Sequence, residues 1–420
     1  MRRCECERVA NIGADMPRDS NWVRARAPIV SSSLAVWRPS RHRFITRREA
    51  LTIALAAAGS LVRPTRAAEF LSAAGQSGAG PGVGGSRLVI RNARPLDAES
   101  PIEALRTFET RNDLFFVRSH HALPTEISTA WTLTIDGEVA RPVTFRLEDI
   151  RRMRAEHRSA TIECAGNGRG RLELPTTSGV QWGSGAVSTA TWTGVPLAAL
   201  LERAGVQASA LHFWMEGADR SPLPATPTFL RSIPRETALG EALVAYEMNG
   251  QPLPLLHGGP LRLVVPRWYG MASTKWLTHV HARATESDNH FMARGYRYAD
   301  GSAVDLMRVK SLITAPRDGE RVDVGTTRVT GVAWTGTGTV ARVEISSDGG
   351  RTWQHARFTS EPRPGTWRLW EADAAIGSAG EQRVRARATD TAGHTQPEQA
   401  SPNPGGYGNN SIHEVRVNAR

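Results

Sequence analysis

Thr161-Ile162-Glu163-Cys164-Ala165-Gly166-Asn167-Gly168-Arg169-Gly170-Arg171 carries a single thiol out of a short strand-like run, Ala160 to Ile162, into a glycine-rich turn with two arginines. Glycine tolerates the positive φ that such a turn needs and lets the backbone approach a ligand closely. A neighbouring guanidinium favours the thiolate, which is both the nucleophile and the metal-binding form. An isolated cysteine can equally serve as a small core residue. The turn alone therefore leaves two readings, packing and chemistry, and the rest of the chain has to separate them.

The chain has 420 residues and a formal net charge of +11, room for two or three domains. The excess charge is local: residues 1–67 hold 13 arginines against 5 acidic residues, which leaves 39 basic against 36 acidic residues elsewhere. A near-balanced body carries no nucleic-acid stripe, so no nucleic-acid partner is expected. Arg38, Arg41, Arg43, Arg47 and Arg48 precede an apolar run, Leu51 to Val62. That run is shorter than the roughly 20 residues a spanning helix needs, so no membrane span is expected once the leader is removed. Thr46-Arg47-Arg48-Glu49-Ala50-Leu51 reads as a twin-arginine export signal, with Ala50 where the usual pattern prefers Phe. The alternative is a chance pair in an arginine-rich chain. Residues 1–67 are thus expected to be a leader and the mature protein to be periplasmic. Cleavage near Ala67 removes Cys4 and Cys6 and leaves Cys164 as the one cysteine, so no internal disulfide can form. A lone exposed thiol is a liability in an oxidising compartment. Burial or a metal resolves that.

Residues 68–94, with a Gly/Ala/Ser-rich stretch from Gly75 to Ser86, read as a flexible linker, regular structure starting near Leu88-Val89-Ile90. Residues 95–306 mix strands with modest helices and define an α+β domain. Trp131 to Gly137 alternates and ends in a turn pair; Leu147 to Ile150 and Pro196 to Leu201 read as helices; Leu261 to Pro266 reads as a strand stopped by proline. No Gly-x-Gly-x-x-Gly joins a strand to a helix, so no doubly wound sheet is expected. Residues 307–420 change character. Short alternating runs at Arg328 to Trp334, Val340 to Ser346, Thr366 to Trp370 and Gln382 to Thr389 point to an immunoglobulin-like β-sandwich without cysteine.

Polar groups gather in four other stretches. Leu114 to His121 is expected to be a strand with Arg118 and His120 on one face. His257-Gly258-Gly259-Pro260-Leu261-Arg262 joins a histidine to an arginine through a turn, Gly270 to Trp276 offers hydroxyls and Lys275, and Asn289 to Tyr298 holds Arg294, Tyr296 and Arg297. Each also admits a plain reading as a solvated face or half-buried packing. Among 52 basic residues only Lys275 and Lys310 are lysines, and a compact ammonium kept where arginine dominates marks Lys275 as an anion contact. His279-x-His281 is too sparse for zinc, and no Cys-x-x-Cys-His attaches a haem to this chain. A cysteine hydrolase stays open without a supporting signature. One soft thiolate with dispersed Arg, Lys, His and hydroxyl groups best fits a metal held largely by an anionic organic cofactor.

Cys164-Ala165-Gly166-Asn167 with Arg169, Phe116-Val117-Arg118-Ser119-His120, and Ala245 to Pro254 closely resemble the sulfite oxidase family of molybdopterin enzymes, as do Gly185 to Ala190 and Lys275-Trp276-Leu277. The resemblance covers roughly residues 95–415 and implies a molybdopterin-binding domain followed by an immunoglobulin-like dimerisation domain. It implies a molybdenum–molybdopterin cofactor with Cys164 as the protein's metal ligand. It further implies that Phe116, Val117, Arg118, Ser119, His120, Asp219, His257, Arg262, Ser273, Thr274 and Lys275 hold the pterin and its phosphate. Arg118, Arg169, Trp182 and Tyr296 would form the pocket in which sulfite is oxidised to sulfate. The acceptor would be separate, such as a c-type cytochrome, and the chain a homodimer or a partner of a haem subunit. One departure stands out: relatives place an arginine near Gly405, and this chain has none, which implies a less positive pocket. The alternatives are a related enzyme acting on sulfane sulfur or reducing a sulfoxide, and a secreted dimeric binding module without cofactor. Arg171 is read as surface charge.

Overall fold

The computed structural model describes residues 87–420, apart from 126, 129, 173–176, 222 and 224. The leader, its arginine pair and most of the expected linker lie outside the described residues. The first element corrects the linker's end. Residues Val89–Ala93 form β1, which pairs antiparallel with β2, Leu96–Glu99, and β2 buries Asp97, Ala98 and Glu99. The antiparallel partner strand fixes this stretch as a hairpin, so regular structure starts at residue 89, near the expected Leu88-Val89-Ile90 and ahead of the expected linker end at 94.

The catalytic half continues with β3 (Thr132–Gly137), β4 (Val143–Arg146), α1 (Leu147–Arg151), β5 (Glu156–Glu163), β6 (Val187–Pro196), α2 (Leu197–Ala204), β7 (His212–Gly217), β8 (Leu230–Pro234), α3 (Arg235–Gly240), β9 (Leu243–Met248), β10 (Gln251–Pro252), β11 (Arg262–Val264), β12 (Leu277–Arg283) and α4 (His290–Ala293). Two five-stranded sheets result, one ordered β10-β9-β6-β5 with β11 on β9, the other β4-β3-β12-β7-β8. Leu133, Ile135, Phe213, Met215, Val195, Val244 and the buried face of α2 pack between them. The first sheet is apolar on its other side too: Ala160, Ile162, Trp192, Leu243 and Ala245 point the opposite way, towards Phe115, Phe116 and Trp182. Two-sided burial is the period-two consequence of near-continuous apolar runs such as Leu243-Val244-Ala245. Pro196, expected inside the first helical turn, caps α2 from outside it.

The segment Leu114 to His121 is irregular rather than a strand. Val117 alone exchanges backbone hydrogen bonds with Ala98, at 2.8 and 2.9 Å. The Phe116 N–H instead donates to Ser188 Oγ at 3.2 Å and the Ser119 N–H to Asp97 Oδ1 at 3.1 Å. Side-chain acceptors thus replace a ladder, and the chain bends here.

The C-terminal module contains β13 (Lys310–Ala315), β14 (Glu320–Val322), β15 (Gly325–Trp334), β16 (Val340–Ser346), β17 (Gln354–His355), β18 (Arg357–Phe358), β19 (Arg368–Ile376), β20 (Gly380–Asp390) and β21 (His413–Ala419). Sheets β13-β15-β19-β18 and β14-β21-β20-β16-β17 form the expected sandwich around Val329, Val343, Ile345, Trp370 and Val384. Its union with the catalytic half is intimate. Leu312, Val332, Trp334 and Trp367 share one apolar cluster with Ala165, Tyr269, Met271 and Tyr296. The Thr161 N–H on β5 donates to Gly365 O at 2.8 Å, and the Trp367 N–H donates to Thr161 Oγ1 at 2.8 Å. Among the described residues, no helix is long and apolar enough to cross a membrane.

Candidate active site

Strand β5 delivers Cys164 to the head of a tight turn. The Cys164 N–H donates to Ala186 O at 2.9 Å, the Asn167 N–H to Cys164 O at 2.8 Å and the Arg169 N–H to Gly166 O at 2.9 Å. Gly168 takes φ +87, which a side chain would resist. A Cβ at Gly166 would meet the Arg169 guanidinium at 2.7 Å, so the turn folds its arginine back over its own glycine. Directly before the thiol, Glu163 is only 2% exposed. Its carboxylate accepts from Lys310 Nζ at 3.1 Å, Asn167 Nδ2 at 3.0 Å and Trp334 Nε1 at 2.9 Å, the first and last of these from the sandwich. Strand β5 is therefore anchored at its end by both halves of the molecule.

The thiol opens into a cleft of about 690 Å³, counting its mouth, whose wall includes Phe116, Arg118, Ser119, His120, Asp219, His257, Arg262, Ser273, Lys275 and Tyr296. Burial pushes the Cys164 thiol up, while Arg118 and Arg169 pull towards the thiolate. Arg118 pairs with Asp97 at 3.1 Å and donates to Ser119 O. Burial disfavours its charge, but Tyr296 and Asp97 outweigh that and hold it above its ordinary value.

Across the cleft the charges are less balanced. Lys275 Nζ donates to Ser119 Oγ and Leu256 O, each at 3.0 Å, and burial, with Arg262, depresses its pKa to about 7. Arg262 donates to the carbonyls of His257 (2.7 Å) and Ser273 (3.1 Å) and is depressed to about 9 by burial. His257 lies 2.7 Å from Asn112 O and is depressed to about 3 by burial. It is neutral, and since a carbonyl only accepts, Nε2 carries the proton and Nδ1 is an acceptor. Asp219 is the one carboxylate on this wall, and burial raises it. Thr274 Oγ1 is buried without a partner.

His120 is fixed by stacking on Phe229, centroids 4.1 Å apart, and by a 2.6 Å hydrogen bond between Nε2 and Tyr296 Oη. Burial and Arg118 hold its pKa well below the ordinary value, so it too is neutral. Burial raises the Tyr296 phenol, which stays protonated.

Not every expected residue reaches the cleft. Val117 and Thr274 are buried beside it, not on its wall. Trp182, expected in the substrate pocket, is 0% exposed and packs in the core behind Phe115 and Phe116. Its carbonyl accepts from the Gly170 N–H at 2.8 Å, so it supports the cysteine turn from beneath. Arg169 also stands back from the wall, donating to Gly405 O at 2.9 Å and Val180 O at 2.9 Å. Gly405 has no room for an arginine: a Cβ there would meet the Tyr407 ring at 2.2 Å. Arg171 is exposed, in keeping with its reading as surface charge, and it also donates to Glu414 O at 3.3 Å, which ties the turn to β21. Residues that sequence reading missed are Asp97, Glu163, Phe229, Arg231, Lys310 and Tyr407. Only Asp97 had a local signal, the alternation of Leu96-Asp97-Ala98-Glu99.

Comparison with known proteins agrees with a cleft built for a large anionic cofactor. Residues 120–291 match the oxidoreductase molybdopterin binding domain, and residues 301–420 match the Mo-co oxidoreductase dimerisation domain. These matches define a molybdopterin oxidoreductase. Sulfite oxidase of Gallus gallus is 35% identical over 341 residues, covering 75% of this chain and 74% of that protein. Mitochondrial sulfite oxidase of Homo sapiens is 36% identical over 359 residues, 79% of this chain but only 65% of the human protein. The crystal structure of the sulfane dehydrogenase SoxCD from Paracoccus pantotrophus superposes with a TM-score of 0.70 at 28% identity, covering 81% of this chain and 94% of that one. The chain belongs to the sulfite oxidase family of molybdopterin-dependent oxidoreductases.

Proposed function

We propose that this protein oxidises sulfite to sulfate at a molybdenum–pterin centre held by Cys164, and that it works in the periplasm after export by the twin-arginine route. Its electrons pass to a separate acceptor such as a c-type cytochrome, and the sandwich module serves as the interface of a dimer or of a complex with a haem subunit. The observation that carries this reading is the convergence of one thiol with Arg118, Lys275, Arg262 and Tyr296 on a single cleft with one carboxylate on the Lys275 wall.

The residues present fit the cofactor. Two cations whose pKa burial depresses, Lys275 and Arg262, line the cleft. A phosphate monoester would give both a counter-ion. Gly258, at φ +102, could not carry a side chain, because a Cβ would meet Lys275 at 2.8 Å. When bound, the molybdenum–pterin group supplies oxygen-atom transfer and takes up an electron pair.

The chain's own residues do the rest. Cys164 offers a thiolate whose negative charge Arg118 and Arg169 favour. Sulfite is an oxyanion, and the Arg118 guanidinium, partly buried on the cleft wall, gives it a charged fork. His120 is neutral, and in its Nε2–H tautomer the ring donates to Tyr296 Oη, which frees the phenol proton to donate to a sulfite oxygen. The balance is SO₃²⁻ + H₂O → SO₄²⁻ + 2H⁺ + 2e⁻. A second reading, oxidation of a sulfane sulfur, is favoured by the Tyr407 ring where a further arginine would add charge.

The test is expression in a host able to make the cofactor, molybdenum analysis, and sulfite oxidation with ferricyanide and cytochrome c while oxygen uptake is recorded. Sulfite turnover by molybdenum-containing protein, abolished in Cys164→Ser with the fold retained, is expected. Protein without molybdenum, or full turnover by Cys164→Ser, overturns the reading.

A further inference from the structure

Beside the cleft, four side chains touch in sequence. The Arg231 guanidinium carbon lies over the Tyr296 ring, 5.2 Å from its centroid. Tyr296 stacks on Tyr407 with centroids 5.0 Å apart and planes 25° from parallel. The Arg169 guanidinium lies over the Tyr407 ring at 5.3 Å. Two phenols are thus contacted by two cations. The four residues come from strand β8, the segment after α4, the tail before β21, and the cysteine turn. Of the four, Tyr296 lines the cleft.

Both guanidiniums lack a carboxylate within ion-pair reach among the described residues. Arg231 is 2% exposed, donates to Phe291 O, and leaves Nε buried without a partner. Burial lowers its pKa to about 10, with Tyr296 and Glu286 opposing. Arg169 is held only by the carbonyls of Gly405 and Val180. A buried cation without a counter-ion is costly, and the π faces of the two tyrosines recover part of that cost. Tyr296 itself sits at φ 54, a left-handed backbone that costs a bulky residue about 1 kcal/mol or more. Something must hold this residue, and its ring contacts are with Arg231, Tyr407 and His120. The Tyr407 backbone is pinned in turn, its N–H donating to Asn403 Oδ1 at 2.9 Å and its carbonyl accepting from Asn403 Nδ2 at 2.8 Å.

We propose that Tyr407 and Arg231 are positioning residues that set the oxyanion affinity of the cleft, by holding the Tyr296 hydroxyl towards the bound anion and lending it the uncompensated charge of Arg231 and Arg169. The inference rests on the oxyanion reading of the site. It gives the C-terminal segment a direct part in substrate choice: Tyr407 fills the space in which a side chain at residue 405 would stand. Tyr407 is half-buried and its hydroxyl makes no hydrogen bond among the described residues, so its ring face is what matters.

The experiment measures inorganic sulfate binding by calorimetry to the full-length, cofactor-loaded protein, with KM and kcat for sulfite and the melting temperature alongside. Tyr407→Leu keeps apolar bulk but loses the ring face. It is expected to weaken sulfate binding and raise KM by about tenfold, the size of a desolvated cation–π contact, with a much smaller effect on kcat. Tyr407→Phe, which keeps the face, is expected to restore both to within about twofold of the parent. Arg231→Gln is expected to follow Tyr407→Leu; should it fail to fold, the Leu/Phe pair still decides. Sulfate affinity unchanged in Tyr407→Leu, or a Phe variant as impaired as Leu, overturns the stack while sulfite turnover by the parent stands. A parent protein that neither binds sulfate nor oxidises sulfite fails the oxyanion reading itself, and this inference with it.

Discussion

Replacing Lys310 by methionine isolates the most consequential buried charge in the molecule. Lys310 Nζ lies 3.1 Å from Glu163 Oε1 and 3.3 Å from Asn167 O, and the pair is 8% and 2% exposed. Methionine fills similar volume but leaves the Glu163 carboxylate with two neutral donors, Trp334 Nε1 and Asn167 Nδ2. Removing one partner of a buried pair costs about 3–5 kcal/mol, because the other charge stays out of water. Against a total stability of roughly 5–15 kcal/mol, that is about a fifth or more. Glu163→Gln in the same chain removes the orphaned charge while an amide oxygen still accepts from Trp334, so the double variant should recover about 2–3 kcal/mol of the loss. Urea unfolding followed by tryptophan fluorescence measures all four corners of the cycle. A single variant within 1 kcal/mol of the parent, or a double variant no better than the single, would refute a charge-pairing role for Lys310.

Lys275 makes stability depend on pH. Its folded-state pKa of about 7 lies below the unfolded value of about 10.4, so the unfolded chain binds more protons between them. In cofactor-free protein the burial penalty is full below pH 7 and fades above it; the parent should therefore gain stability relative to Lys275→Met as the pH rises from 7 towards 10. Denaturant midpoints at pH 6 and 9 check this, and a difference independent of pH would contradict it. Trp182→Phe tests core against pocket: being fully buried, it should lose about 1–3 kcal/mol of stability with KM for sulfite little changed. A large KM change at unaltered stability would return Trp182 to the substrate pocket.

What the sequence made legible follows from where each signal lives. Cys164 stood out because no other cysteine lies outside residues 1–67, and Lys275 because lysine is rare in this chain. Lys310 is equally rare, yet its partner Glu163 lies 147 residues away and no local pattern joins them. The sandwich could be read because its strands alternate, each within its own ten residues. Leu114 to His121 was recognisable as a site but not as irregular, since its backbone hydrogen bonds go to Ser188 and Asp97 instead of a neighbouring strand. Trp182 was misplaced because a motif fixes where a residue falls along the chain, not which way its side chain turns. Arg231 and Tyr407 left no trace at all: their contacts exist only once four distant segments have met.

The cysteine turn is also a clock. Gly408 N–H donates to Ala165 O at 2.8 Å, Asn409 Nδ2 donates to Gly168 O at 2.8 Å, and Gly405 O receives Arg169 Nε at 2.9 Å. These partners lie 236 to 243 residues further along the chain than the residues they hold. A nascent chain can complete its first sheets, but it cannot close the loop around its thiol until residues 405–409 have been made. A frameshift or premature stop before residue 405 therefore yields a chain that still carries Cys164, Arg118 and Lys275 but lacks the segment that finishes the turn around the thiol.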